Sequence, residues 1–187
     1  MWVFGYGSLL WRPDFPFEEK VVGCVKGFSI RFWQESVLFR GTPEKPGRVA
    51  MLVEDNVESE VFGVAYKIKE DRAQDVLDQL FKRELFEPVP TMFYPKQETK
   101  QPFEVHIYNI VTSDSVRAVQ YIGPERIEDT AKIISESIGP TGMRNDEYVF
   151  KLVEINLEIA GRVNPYLSDL ENLIRDYQAA RKETRTQ

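Results

Sequence analysis

Up to Val111 the chain is cut into short apolar runs by glycine and proline, and only one long stretch departs from that pattern. Residues 1–4 form a first apolar run that ends at Gly5. Residues 21–33 carry Val21, Val22, Val25, Phe28, Ile30 and Phe32, interrupted by Gly23 and Gly27. This reads as one or two strands with a bend or bulge at a glycine. Residues 49–53, 61–68, 91–94 and 103–111 read as further strands. In the last, Phe103, Val105 and Ile107 alternate with Glu104, His106 and Tyr108, so His106 falls on the more polar face. The exception is 71–83, where Val76, Leu77, Leu80 and Phe81 recur at helical spacing, with Pro88 and Pro90 closing the run.

Beyond Val111 the period is helical. Pro124 opens one helix, with Glu125, Glu128 and Asp129 in its first turns and Ile127, Ala131, Ile134 and Ile138 as its inward stripe; Gly139-Pro140 stops it. Asn145 or Asp146 caps the next, which runs to about Ala160 with Val149, Leu152, Val153 and Leu157 inward. A last amphipathic helix uses Leu167, Leu170, Leu173, Ile174 and Tyr177. Many short strands followed by helices predict an α+β chain whose sheet curls toward a barrel. A length of 187 residues predicts a single domain over 1–187, with the polar tail from about 183 to 187 frayed.

The charge balance narrows the partners. With 24 basic and 30 acidic residues the formal net charge is −6, which argues against a general nucleic-acid binder. Cys24 is the single cysteine and His106 the single histidine, which leaves no internal disulfide and no structural zinc cluster. No apolar run approaches the roughly 18 residues of a membrane span. The first working element begins by Gly5, which leaves no room for a cleavable leader ahead of it. The expectation is a reduced, soluble protein of cytoplasmic type.

Chemistry is then sought without metal or thiol clusters. In Gly5-Tyr6-Gly7-Ser8, a strand runs into two glycines that tolerate φ > 0, and such a turn exposes backbone N–H groups able to hold an anionic group or an oxyanion. It is neither a Walker loop, since no Gly-Lys-Ser/Thr follows, nor a dinucleotide fingerprint, since the third glycine is missing and Pro13 blocks an immediate helix. Among carboxylates, Glu84 stands out. It lies four residues after Leu80, three after Phe81 and seven after Leu77, on the apolar face of its helix and at the end where the dipole disfavours negative charge. Burial and dipole both raise a carboxyl pKa toward what a general base needs, while Lys82 and Arg83 oppose the shift; the alternative is a solvated Lys-Arg-Glu helix end with Glu84 turned outward. Arg40, Arg48 and Arg144 sit in glycine- and proline-rich loops, either to bind a carboxylate in bidentate fashion or as ordinary surface arginines. Tyr148 opens a helix, either to place a hydroxyl in a pocket or to pack.

Taken together, these pieces resemble the ChaC-type γ-glutamylcyclotransferases. The resemblance is carried by Gly5-Tyr6-Gly7-Ser8-Leu9 with Trp11 and Phe15-Pro16, by Arg31-Phe32-Trp33-Gln34, and by Arg40-Gly41-x-Pro43-x-x-Pro46-Gly47-Arg48. Leu52-Val53-Glu54-Asp55, Gly63-Val64-Ala65-Tyr66, Arg83-Glu84, Tyr121-Ile122-Gly123-Pro124, Gly139-Pro140-Thr141-Gly142 and Asn145-x-Glu147-Tyr148-x-Phe150-x-Leu152 continue it in order, to about Leu157. It implies a small mixed β-barrel with packed helices. The implied activity is that of a lyase releasing 5-oxoproline and Cys-Gly from glutathione, with no cofactor and no metal; the short N-terminus and total length look like the compact, glutathione-acting branch. The family's catalytic glutamate maps to Glu84. Its substrate-binding loop maps to Val3, Phe4, Gly5, Tyr6, Gly7, Ser8 and Leu9, and its pocket tyrosine to Tyr148.

Two segments depart from the family pattern. Its Lys-Gly-Gly-Tyr-like run after Arg-Glu is here Leu85-Phe86-Glu87-Pro88, and its Asn-Pro-x-Tyr is here Ala118-Val119-Gln120-Tyr121. Bulk in place of glycine predicts a stiffer, re-shaped rim beside Glu84. Two other readings stay open at this point: the same reaction on a different γ-glutamyl amide or amine, and a non-catalytic relative that binds a γ-glutamyl ligand or a protein.

Overall fold

The computed structural model of the chain describes residues 1–84 and 87–186. Within them the chain divides into two compact units, 1–31 with 51–119, and 32–50 with 120 onward.

The first unit is built on a closed five-stranded barrel, ordered β1-β5-β2-β6-β7, from β1 (Trp2–Gly5), β2 (Glu19–Lys26), β5 (Glu60–Lys67), β6 (Val89–Pro95) and β7 (Phe103–Ile107). β1 pairs antiparallel with β5, Gly5 opposite Val64, and closes the barrel by a parallel pairing with β7, Val3 opposite His106. Both senses of pairing make it the mixed barrel that the resemblance implies. The curl has a local cause. Gly23 of β2 lies opposite Gly63 of β5. A Cβ on Gly63 would fall 2.3 Å from the Gly5 carbonyl oxygen and 2.6 Å from the Phe4 ring, so only glycine lets the strands approach this closely.

β3 (Phe28–Ser36), β4 (Gly47–Glu54), β8 (Ile110–Val111) and β9 (Val116–Arg117) form a second sheet in the order β3-β4-β8-β9; the boundary between the units falls within β3 and β4. The apolar stretch 21–33 is two strands, divided at Gly27, whose φ is +81°. The single strand expected over 103–111 is also two. Tyr108-Asn109 interrupts it, and Asn109 has a φ of +54°, a left-handed conformation in which strand pairing cannot continue. Among the described residues of this unit the one α-helix is α1 (Ala73–Glu84), led in by a 3-10 turn at Glu70–Arg72. It closes over a core of Val3, Leu9, Phe15, Val64, Tyr66, Ile68, Val76, Leu80 and Tyr108.

The second unit carries α2 (Ile127–Glu136), α3 (Asn145–Ala160) and α4 (Pro165–Thr186). Thr130, Ala131, Ile134, Val149, Leu152, Leu167, Leu170 and Ile174 are buried, so each helix turns an apolar face inward. α2 begins three residues after Pro124 and ends at Glu136, so Ile138 lies beyond it, bridged to Arg144 and half exposed. Leu157 also faces out, since α3 buries the stripe through Val149, Leu152 and Asn156 instead. α4 extends to Thr186, through the polar segment that the sequence marks for fraying.

Candidate active site

The glycine turn leaves β1 and passes at once into a 3-10 turn at Ser8–Leu10, held by Leu10 N–H on the Gly7 carbonyl at 3.0 Å and by Trp11 and Arg12 N–H on that of Ser8 at 3.2 and 2.9 Å. Neither Gly5 nor Gly7 takes the positive φ that the sequence suggests; Gly7 sits at φ −114°. Close approach explains Gly5 instead. A Cβ there would fall 2.7 Å from the Leu9 Cβ and 3.2 Å from the Tyr66 ring. The turn folds back onto its own strand, and a side chain at Gly5 would prise Leu9 off it.

The side chains of this stretch do not face outward together. Val3 and Phe4 are fully buried, so what they offer a ligand is main chain. Leu9 is in the core cluster, and its carbonyl accepts the Tyr66 hydroxyl at 2.8 Å. Tyr6 is buried with its ring 6.1 Å from that of Phe4. Its hydroxyl donates to the carbonyls of Tyr108 and Asn109, at 3.1 and 2.8 Å. Ser8 remains half-exposed.

Glu84 is the last residue of α1, and the residue is buried, at 8% exposure. The inward stripe of the helix runs through Val76, Leu80 and Glu84, four residues apart, while Phe81, expected inward, is 45% exposed. Asn109 donates its side-chain amide to Glu84 Oε2. The same dipeptide, Tyr108-Asn109, therefore touches both the turn, through Tyr6, and the carboxylate. Nothing in the sequence patterning marks Asn109. The one available sign is an asparagine where the alternation of 103–111 lapses, a residue tolerant of left-handed backbone. Beside it, burial pushes the Tyr108 phenol up to about 12, helped by the charges of Glu87 and Glu84, and burial alone takes Tyr66 to about 12. Both are fixed as neutral hydroxyls. The altered segment after Glu84 begins with Leu85 and Phe86, which lie outside the described residues. His106, half-buried, sets its Nδ1 3.3 Å from the Trp2 carbonyl, a contact that ties β7 to β1.

Tyr148 and the loop arginines belong to the second unit. Tyr148 is buried near the start of α3, edge-on to Phe32 with ring centroids 5.9 Å apart, and the Arg40 guanidinium lies 5.2 Å from its ring centroid. The carboxylates that the arginines bind are the chain's own. Arg48 is buried and clamps Glu125 in bidentate fashion at 3.0 and 2.8 Å, with Glu35 at 3.5 Å. Asn145 completes its surroundings, accepting the Arg48 N–H at 2.7 Å and donating to its carbonyl at 2.8 Å. Arg144 binds Asp146 through Nε at 3.0 Å. Arg40 donates to the Arg144 carbonyl at 3.0 Å. Arg48 and Arg144 are thereby read as structural, in place of the ligand-binding geometry that their loops suggest.

Comparison with known proteins bears on the same residues. A family model described as ChaC-like protein matches residues 1–177. The Arabidopsis thaliana protein named gamma-glutamylcyclotransferase 2-3 is 38% identical over 179 residues, covering 94% of this chain and 88% of its own length. The Homo sapiens protein named glutathione-specific gamma-glutamylcyclotransferase 1 is 37% identical over 158 residues, covering 82% of this chain and 68% of its own. Among solved structures, a crystal structure of a gamma-glutamyl cyclotransferase specific to glutathione from yeast superposes with a TM-score of 0.82 at 27% identity, covering 95% of this chain and 96% of that one.

Proposed function

The chain belongs to the ChaC-like family, and from that footing we propose that it is a glutathione-specific γ-glutamylcyclotransferase, with Glu84 as its general base and the Val3–Leu9 turn as its binding loop. The substrate is a small molecule and the reaction is internal to it. The α-ammonium of the γ-glutamyl group gives a proton to Glu84, and the freed amine attacks the γ-carbonyl carbon of the same residue. The ring N–C bond forms as the C–N bond to the cysteinyl nitrogen breaks. Glu84 gives that proton to the departing nitrogen and then takes the second proton that the ring nitrogen must lose, which ends on the Cys-Gly ammonium, so 5-oxoproline and Cys-Gly leave with no water consumed. Because nucleophile and electrophile share one molecule, what remains for the protein is to hold the bent conformer, carry protons from the attacking to the leaving nitrogen and stabilise an oxyanion.

The observation that carries this reading is the burial of Glu84 at the end of α1, with an amide donor on Oε2. A carboxyl group drawn out of water at the negative end of a helix dipole is driven toward greater basicity. Main-chain groups of the turn are suited to the α-carboxylate or the oxyanion, since the buried side chains of Val3 and Phe4 leave only backbone to offer. Tyr148 is assigned to the substrate pocket on the family motif, with its ring orientation fixed by Phe32. The full 187 residues act as one catalytic domain in this reading, supported by a family match that runs unbroken through 177 residues. Among the described residues no helix is long and apolar enough to cross a membrane. With one free, buried cysteine, we place the enzyme in the reducing cytoplasm.

The test is incubation with glutathione, following 5-oxoproline and Cys-Gly. The parent protein is expected to form both in equal amounts. Glu84→Gln is expected to keep the fold and lose about 10²–10⁴-fold in rate. No 5-oxoproline from the parent, or near-parental turnover by the glutamine variant, overturns the assignment.

A further inference from the structure

We propose that Asn109 is a positioning residue for Glu84, the part that holds the carboxylate and the glycine turn in one register. The inference rests on the reading of Glu84 as the base. The interruption between β7 and β8 is two residues long, and its second residue is anchored on three sides. The Asn109 carbonyl accepts the Tyr6 hydroxyl at 2.8 Å and the Leu52 N–H at 3.0 Å. Its side-chain amide donates to Glu84 Oε2. Its φ of +54° is what turns the side chain out of strand alternation while the carbonyl stays on the sheet. Two hydrogen bonds to one carbonyl fix the point from which the amide reaches, so the carboxylate is aimed from a rigid origin rather than from the end of a helix alone.

The chemical type of the donor matters as much as its position. Glu84 must be ionised to take a proton, yet must hold that proton only briefly. A guanidinium or ammonium on the same oxygen would keep the carboxylate ionised and depress its basicity. An amide N–H supplies a directed bond without a full charge and has no proton of its own to give up. It orients the base without bringing a full positive charge of its own. Tyr6 extends the same logic to the binding loop, because a shift of Asn109 moves the acceptor that fixes Tyr6 and the amide that fixes Glu84 together.

Two variants test this with glutathione as substrate. Asn109→Gly keeps a residue at ease with positive φ and removes the amide. Asn109→Asp keeps size and left-handed tolerance but sets a negative acceptor against Oε2. A hydrogen bond to a charged group predicts that kcat falls about 10- to 100-fold in Asn109→Gly, and further in Asn109→Asp, with KM within about two-fold of the parent. Adding Asn109→Gly to Glu84→Gln is expected to cost nothing more, since the two act as one unit. Parental kcat in both variants, alongside an inactive Glu84→Gln, overturns the role of Asn109 and leaves Glu84 as base. A loss confined to KM overturns it equally, because it assigns Asn109 to binding. Near-parental turnover by Glu84→Gln removes the base itself, a separate result.

Discussion

Each unit of this protein buries charge, and the two do so by different rules. In the second, Arg48 is enclosed with Glu125 clamped on its guanidinium and Glu35 close by, and Thr130 donates to Glu125 at 2.7 Å. Charge is answered by charge, and lone pairs are taken up by hydroxyl and amide donors. In the first, the buried carboxylate of Glu84 receives a bond from the uncharged amide of Asn109. A clamped ion pair is inert, because protonating one member strands the other in a poor solvent. An amide donor imposes no such penalty of its own on a carboxylate that gains and loses a proton. Under the proposed function the first cluster named fixes the fold and the second does chemistry, a difference that can be attacked from either side.

The largest effect expected is on rate. Glu84→Gln, isosteric and neutral, should lose about 10²–10⁴-fold in glutathione turnover while its thermal midpoint stays near the parent's. The mirror experiment is Arg48→Met. Removing the buried guanidinium leaves the half-buried carboxylates of Glu125 and Glu35 without a counter-charge, and breaking one side of a buried pair costs up to about 3–5 kcal/mol. Denaturant unfolding should register that loss in full. Comparable stability losses from both substitutions would erase the distinction between the clusters.

A smaller effect tests the turn. Gly5→Ala places a methyl group 2.7 Å from the Leu9 Cβ, and overpacking of this kind costs about 1–3 kcal/mol. The strain displaces Leu9, whose carbonyl is tied to Tyr66, so the proposed binding loop moves while Glu84 stays on its helix. A raised KM for glutathione with a smaller change in kcat is expected. Unchanged kinetics in a folded Gly5→Ala protein would show that the backbone of the turn is not what the substrate meets.

How far these features were legible in the sequence depends on whether they are periodic. Alternation in 103–107 and the four-residue spacing of Val76, Leu80 and Glu84 are repeating signals, and they gave the strand, the helix and the buried position of the carboxylate. Phe81 misled because a hydrophobic residue one place round the helix is compatible with the same stripe. The end of β7 at Tyr108 was not legible, since a single left-handed residue leaves no periodic trace and Ile110-Val111 continues the apolar run. Asn109 was missed with it. At Gly5 the sequence suggests a positive φ, whereas the need for glycine comes from crowding by Leu9, which cannot be read before the turn is folded back. The arginine loops show the converse: Arg48 does bind a carboxylate in bidentate fashion, but Glu125 lies 77 residues away in the chain, and no local pattern announces it.

The smallest expected effects come from two tyrosines of one core. Tyr66 donates to the Leu9 carbonyl, whereas the Tyr108 hydroxyl, equally buried, has no hydrogen-bond partner among the described residues. Tyr66→Phe deprives a buried carbonyl of its donor and should cost about 1 kcal/mol. Tyr108→Phe removes an unsatisfied hydroxyl from the same apolar cluster and should be neutral or stabilise by up to about 1 kcal/mol. Alkaline titration checks the pair independently. Both phenols ionise near 12 in the folded protein and near 10 in an unfolded chain. The unfolded state therefore releases protons first, and the stability these residues confer, complete below about pH 10, drains away as the pH rises through about 12. Each phenylalanine variant should flatten part of that decline, Tyr108→Phe without the neutral-pH cost that Tyr66→Phe carries. Equal losses at neutral pH would mean that the Tyr108 hydroxyl is satisfied in solution.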